Sequence, residues 1–142
     1  MAERQVALVP TMIQLDNFEM YAQSGEEKYP AYASHMRALY ATRLERFASA
    51  LDAGVPVYAG TDAGGFLPHG LVGKEIAALA QFSSAEYALG AGSWRARAWL
   101  GHPPTLTDGA PADFVVFDAD PRLDLGVLRA PRHVILRGAL IN

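Results

Sequence analysis

Asp62 is the sharpest candidate for chemistry in the sequence. It stands in Gly60-Thr-Asp-Ala-Gly-Gly65, directly after the short β-rich run Val55-Pro-Val-Tyr-Ala59. Parallel sheets and barrels collect their active sites just past the C-terminal ends of their strands. The surrounding glycines let the backbone turn sharply and leave room for a ligand beside the carboxylate. A carboxylate so placed could bind a metal ion and exchange a proton with water on that ion, whose pKa the metal brings toward neutrality. The bland alternative is that Asp62 hydrogen-bonds its own turn or caps the next helix.

His69, seven residues on in Phe66-Leu-Pro-His-Gly70, is a candidate ligand or substrate contact on the same rim. Neutral imidazole is a common metal ligand, although a loop histidine bonded to backbone would look the same. Tyr21, Tyr29 and Tyr32 fall in a long connection and could line a pocket at that end of the sheet, or pack on the loop itself. His35, His102 and His133 read as structural. No H-x-H, H-E-x-x-H, G-x-S-x-G or G-x-G-x-x-G occurs.

The elements that would position these residues follow from periodicity. Val6-Ala-Leu-Val9, closed by Pro10, reads as a buried strand. Residues 16–34 lack a clear period and read as a loop, longer than the ~12–15 residues usual for a structureless connection. Met36, Leu39, Leu44, Phe47 and Leu51 recur at helical spacing, predicting a helix over 33–53 with Ser34 at its start and Gly54 at its end. The run at 55–59 then completes a βαβ unit with parallel strands.

A helix is expected over 71–81. A second, running to about 100, would open on a capping box between Ser83 and Glu86. Gly90 and Gly92 inside it cost about 1 kcal/mol each against Ala unless a neighbour packs closely there. Beyond His102-Pro-Pro104 the signal is β, at 112–118 and 133–141.

Composition narrows the function classes. The chain has 142 residues, 51% hydrophobic and 19% charged, which excludes a disordered chain. Twelve basic residues against fifteen acidic ones leave a net charge of −3, with no basic cluster beyond Arg129, Arg132 and Arg137. Nucleic acid is therefore not an expected partner. No run approaches the ~18 apolar residues of a membrane span, and the N-terminus lacks a secretory pattern, so the expectation is a cytoplasmic protein with no membrane partner. Cysteine is absent, which removes thiolate ligands and thiol nucleophiles.

The order of these pieces carries a resemblance. Val6–Met12 (VALVPTM), a helix, and Val55–Gly65 (VPVYAGTDAGG) resemble the last two strands of the metal-dependent amidohydrolase barrel, in its imidazolonepropionase-like and Xaa-Pro-dipeptidase-like branch. The tail ADFVVFDADP at 112–121, followed by a last apolar strand with Arg137-Gly138, resembles the return of those enzymes to a small β-sandwich. The resemblance implies an α/β fold: the last two βα units of a TIM barrel over residues 1–103, then a β-sandwich segment over 104–142.

It also implies that Asp62 is the aspartate that ligates the metal and acts as base and acid. The family's H-x-H, its bridging lysine and its remaining histidines match nothing in these residues. The usual Gly-x-[Ile/Leu]-x-x-Gly-Lys is altered to Pro104-Thr-Leu-Thr-Asp-Gly-Ala110, without the lysine. A catalytic zinc needs about three protein ligands, and the resemblance supplies one.

The expectation is thus a C-terminal fragment or subunit of a metal-dependent hydrolase acting on amide, peptide-like or cyclic amide C–N bonds. Its cofactor would be a divalent metal, zinc, as one or two ions held mostly by residues outside this chain. Its partners would be the remaining barrel segment, from the same precursor or another chain, and a small-molecule amide substrate; a homo-oligomer is left open. The alternative is a truncated binding or assembly module that keeps the signature without activity.

Overall fold

The computed structural model describes residues 1–141. Among the described residues seven helices are followed by a three-stranded sheet: α1 (Met12–Leu15), α2 (Phe18–Gly25), α3 (Pro30–Ala41), α4 (Arg43–Asp52), α5 (Val72–Leu79), α6 (Ala85–Ala91) and α7 (Trp94–Trp99), then β1 (Phe114–Val116), β2 (His133–Leu136) and β3 (Ala139–Leu140). Short 3-10 turns cover Ala2–Arg4 and Leu125–Arg129.

The expected parallel pair is reduced to one parallel bridge, Leu8 to Val57. Leu8 N donates to Pro56 O at 2.9 Å and Tyr58 N donates to Leu8 O at 3.0 Å. Parallel strands are stable inside wide, doubly covered sheets, and a lone pair keeps little of its ladder. Val57 is nonetheless fully buried, in a core with Met12, Ile76, Leu79, Ala88, Leu89 and Ala91.

The stretch expected to be a loop is mostly helical. Pro30 occupies the first turn of α3, where its fixed φ and missing amide do no harm, so the helix starts there and not at Ser34. Ala22 of α2 and Ala33 of α3 are buried to 0% and 1% exposure, small residues that let the two helices approach closely. Arg37 pairs with both Glu19 and Glu26 across this contact; such exposed pairs add little.

The single helix expected over 33–53 is broken at Thr42, whose hydroxyl donates to Ala38 O at 3.1 Å. Side-chain bonding of this kind competes with the helical ladder. α4 then turns Leu44, Phe47 and Leu51 onto the core, with Phe47 and Phe82 rings 5.5 Å apart. Gly54, at φ +80°, ends it.

The helix expected to reach residue 100 is likewise split, into α6 and α7. Its cap is Ser84, whose hydroxyl oxygen accepts the Tyr87 amide at 3.0 Å. The Ser83–Glu86 box does not form, because Glu86 falls one position short of the reciprocal place and Ser83 donates to Leu79 O instead. A β-carbon on Gly92 would lie 2.5 Å from Ile76 Cδ1, so this glycine permits α6 and α5 to meet. The Tyr58 and Trp99 rings, 5.1 Å apart, tie α7 to the paired segment.

β1, β2 and β3 form an antiparallel sheet in sequence order, with Phe114 opposite Ile135 and Ile135 opposite Leu140. Arg137 and Gly138 both take positive φ, 51° and 79°, the two-residue hairpin turn that matches strand twist. Asp113 fastens the sheet to the helices: it accepts the Arg137 amide at 2.7 Å and pairs with Arg97 of α7 at 3.4 Å.

Candidate functional site

The Leu8–Val57 bridge sets two chain segments side by side, and each leaves the bridge through a residue in the left-handed region. Thr11 follows the first segment with φ 50°, and Asp62 follows the second with φ 50°. Neither is glycine, so both positions carry local strain, a feature concentrated at functional sites.

Asp62 is exposed. Among the described residues its carboxylate has no hydrogen-bond or salt-bridge partner, and α5 begins after Leu71, its N-cap, without a side-chain cap bond. Asp62 therefore neither caps that helix nor staples its own turn. The turn is closed by backbone, through Gly64 N donating to Leu67 O at 3.0 Å and the Ala63–Leu67 bridge.

His69 lies across the same turn. A β-carbon on Gly64, whose φ is +106°, would meet the imidazole Cε1 at 3.5 Å and Nε2 at 3.6 Å. Asp62 and His69 thus share one loop. Tyr29 and Tyr32 sit elsewhere, around the turn between α2 and α3. Lys28 Nζ lies 5.2 Å from the Tyr29 ring centre, and the Tyr32 ring packs beside Gly25. Tyr21 is the tyrosine that touches the Asp62 loop, meeting Phe66 edge-on at 6.1 Å.

Glu75 is the site-building residue that sequence reasoning missed. Fully buried on α5, it accepts the Met12 amide at 2.8 Å and the Ile13 amide at 3.0 Å, one on each carboxylate oxygen. Burial pushes its carboxyl above the usual range, against the lowering effect of those two amides, and the nearby Asp16 charge adds to the rise. The signal was present: Glu75 shares the helical stripe of Val72, Ile76 and Leu79, so a charge stands on an apolar face.

Among the described residues no group of three or more His, Cys, Asp or Glu side chains could hold a metal ion. Asp62 offers one donor, whereas a catalytic zinc takes about three. The residues present fit one corner of such a centre and not the whole of it. No described helix is long and apolar enough to cross a membrane.

No protein-family model matches the chain. Proteins of Mycobacterium tuberculosis (strain H37Rv) and Mycobacterium bovis, both described as uncharacterized, are 52% identical to it over 139 residues. That match covers 97% of this chain and 37% of theirs, so the chain spans little more than a third of these relatives.

Among solved structures, a prolidase complexed with N-methylphosphonate-L-proline superposes with a TM-score of 0.77 at 26% identity, over 99% of this chain and 36% of that one. A putative prolidase from Bifidobacterium longum gives 0.79 at 26% identity, over 95% and 35%. A Xaa-Pro dipeptidase with methionine in its active site gives 0.76 at 22%, over 99% and 35%. The helices and antiparallel sheet described above are a small α/β arrangement that matches about a third of each of these prolidase chains.

Proposed function

We propose that these residues are the C-terminal part, or a subunit, of a metal-dependent hydrolase that cleaves C–N bonds of amide or peptide-like substrates. Asp62 would be its one metal ligand from this chain and its proton carrier. The observation that carries the reading is Asp62 itself: an exposed, unbonded carboxylate on a strained residue, at the end of a segment bridged to its parallel neighbour. The two prolidase structures at 26% identity support peptide bonds to proline as the first substrates to try.

In the assembled enzyme a divalent ion, zinc in this reading, would bring water's pKa toward neutrality. The ligands beyond Asp62 would come from outside this chain. Asp62 would take up one proton and return it to the leaving nitrogen, the role that general acid–base groups fill. His69, on the same loop, would face the substrate. Tyr21 and Phe66 would brace that loop from the α2 side.

The test is Asp62→Asn in the chain assembled with its remaining barrel segment, assayed on Xaa-Pro dipeptides. Asparagine keeps the shape and loses the proton site, so kcat should fall by roughly 100-fold or more. Activity within about tenfold of the unmodified assembly would remove Asp62 from proton transfer, since positioned acid–base groups contribute more than that. A second reading, a binding or assembly module without activity, is favoured by the lack of a complete ligand set among the described residues. Metal analysis separates the two: stoichiometric metal in the assembly supports the enzyme, and none under any condition supports the module.

A further inference from the structure

The loop that carries Asp62 and His69 has few tethers of its own. Gly64 N donating to Leu67 O, with the Ala63–Leu67 bridge beside it, closes the turn from within. Among the described residues no side-chain hydrogen bond or ion pair reaches residues 61–70. Residues 64–66 and 68–70 are exposed, and a β-carbon on Gly65 or Gly70 would meet nothing within 4 Å. Segments so sparsely held open locally well before the fold does.

The contact that reaches the loop from outside is aromatic. Phe66, 61% exposed within that turn, meets the Tyr21 ring edge-on, with the ring planes at 65°. In this arrangement the positive edge of one ring faces the negative face of the other. Tyr21 is itself fixed from two sides. Gln14 of α1 donates to its hydroxyl at 3.4 Å, and Asn17 steadies Gln14 by donating to its side-chain oxygen at 2.9 Å. On α2, Tyr21 falls on the opposite face from Glu19, which pairs with Arg37 of α3, and from buried Ala22. One face of α2 is thus committed to α3 and the other carries Tyr21 to the Asp62 loop.

We infer that Tyr21 is a positioning residue for the Asp62 loop, acting through Phe66 from a helix held by α1 and α3. The catalytic consequence rests on the proposed function. Asp62 carries a proton effectively only where its carboxylate is held in place, and small misplacements of a reacting group cost rate steeply. The hold on the loop itself does not depend on that reading.

Amide hydrogen exchange in the 142-residue chain, read at Gly64, tests the contact. An edge-on ring pair favours the joined arrangement by a factor of about 2–10. Phe66→Ala and Tyr21→Ala should therefore each speed Gly64 exchange by about fivefold. The double variant should be no faster than either single one, because both remove the same contact. Tyr21→Phe keeps the ring and should restore most of the protection. Phe66 is exposed, so Phe66→Ala spares the core and decides the matter even where Tyr21→Ala disturbs α2. In the chain assembled with its remaining barrel segment, Phe66→Ala should lower kcat on Xaa-Pro dipeptides by about fivefold and change KM by less than about twofold. In an Asp62→Asn background it should have no effect.

Unchanged Gly64 exchange in Phe66→Ala would overturn the inference, and so would additive effects in the double variant. Acceleration by Tyr21→Ala spread evenly over the α2 amides, with Gly64 unmoved by Phe66→Ala, would make Tyr21 a structural residue of α2 and likewise overturn it. Faster Gly64 exchange with kcat unchanged would leave a contact that positions nothing, which also overturns it. An unmodified assembly that hydrolyses no dipeptide removes the proposed function alone, because Gly64 exchange in the chain still decides whether Tyr21 holds the loop.

Discussion

Glu75 Oε1 accepts the backbone amide of Met12 at 2.8 Å across 63 residues of chain. With its second oxygen on Ile13, one side chain of α5 holds the first turn of α1. Two amides that a helix start would leave unsatisfied are bonded by a carboxylate on the next rim element. The segment that leaves through Thr11 is thereby tied to α5, the helix that follows the Asp62 loop.

Replacing Glu75 tests this tie directly. In Glu75→Gln the amide oxygen accepts one of the two amides and the new NH2 faces the other. The loss should be about 1–3 kcal/mol, the range for a buried polar group left unpaired. Urea unfolding of the chain measures it.

The same side chain predicts a pH dependence. Its folded carboxyl is raised above 4.5, mainly by burial. In that window the folded state holds the proton more tightly than the unfolded state does, so stability falls as pH rises. The Glu75 contribution is fully present below 4.5 and lost as pH climbs through the raised value. Urea midpoints followed upward from pH 4.5 should decline in the unmodified chain, and this component should vanish in Glu75→Gln.

Ser84→Ala should cost about 1 kcal/mol, because it removes the cap on the Tyr87 amide. Ser83→Ala should cost less, about 0.5 kcal/mol, since the Leu79 carbonyl keeps its helical environment. Thermal melts followed by circular dichroism order the two. A larger effect at Ser83 would return the cap to that residue.

Gly92→Ala sets backbone freedom against packing. Gly92 is the C-cap of α6 at φ −98°, a conformation alanine can adopt, and restricting the unfolded chain there would favour folding by about 0.4–1 kcal/mol. The added β-carbon would meet Ile76 Cγ1 and Cδ1 at 2.5 Å, and Ile76 is 4% exposed with no room to yield. Overpacking should win by about 1–3 kcal/mol. Gly65→Ala, with nothing within 4 Å and no positive φ, should leave the melting temperature unchanged.

The position of the candidate loop was legible in the residues: Asp62 follows the segment bridged to Leu8, and His69 stands on the same loop, beside Gly64. The amphipathic stretch from Met36 to Leu51 was equally plain, but its break at Thr42, whose hydroxyl donates to the Ala38 carbonyl, leaves no mark in the apolar spacing. Residues 16–34 were misread because Tyr29-Pro30 suits a turn and a helix start alike, and the packing of α2 on α3 that buries Ala22 and Ala33 is announced by no local pattern. Glu75 was hidden by the opposite difficulty: its two partners lie more than sixty residues away. Long-range polar contacts leave no period to find.

Both tryptophans of the sequence, Trp94 and Trp99, stand on α7. Tryptophan emission, excited apart from tyrosine, therefore samples a single six-residue helix, with the Tyr58 ring against Trp99. Detachment of that helix would register as a complete optical transition while the Asp62 loop and the Glu75 tie stayed in place. Loosening of the loop, conversely, would pass without any change in colour. A fluorescence trace for this molecule is a local gauge, and denaturation seen that way dates the departure of α7 alone.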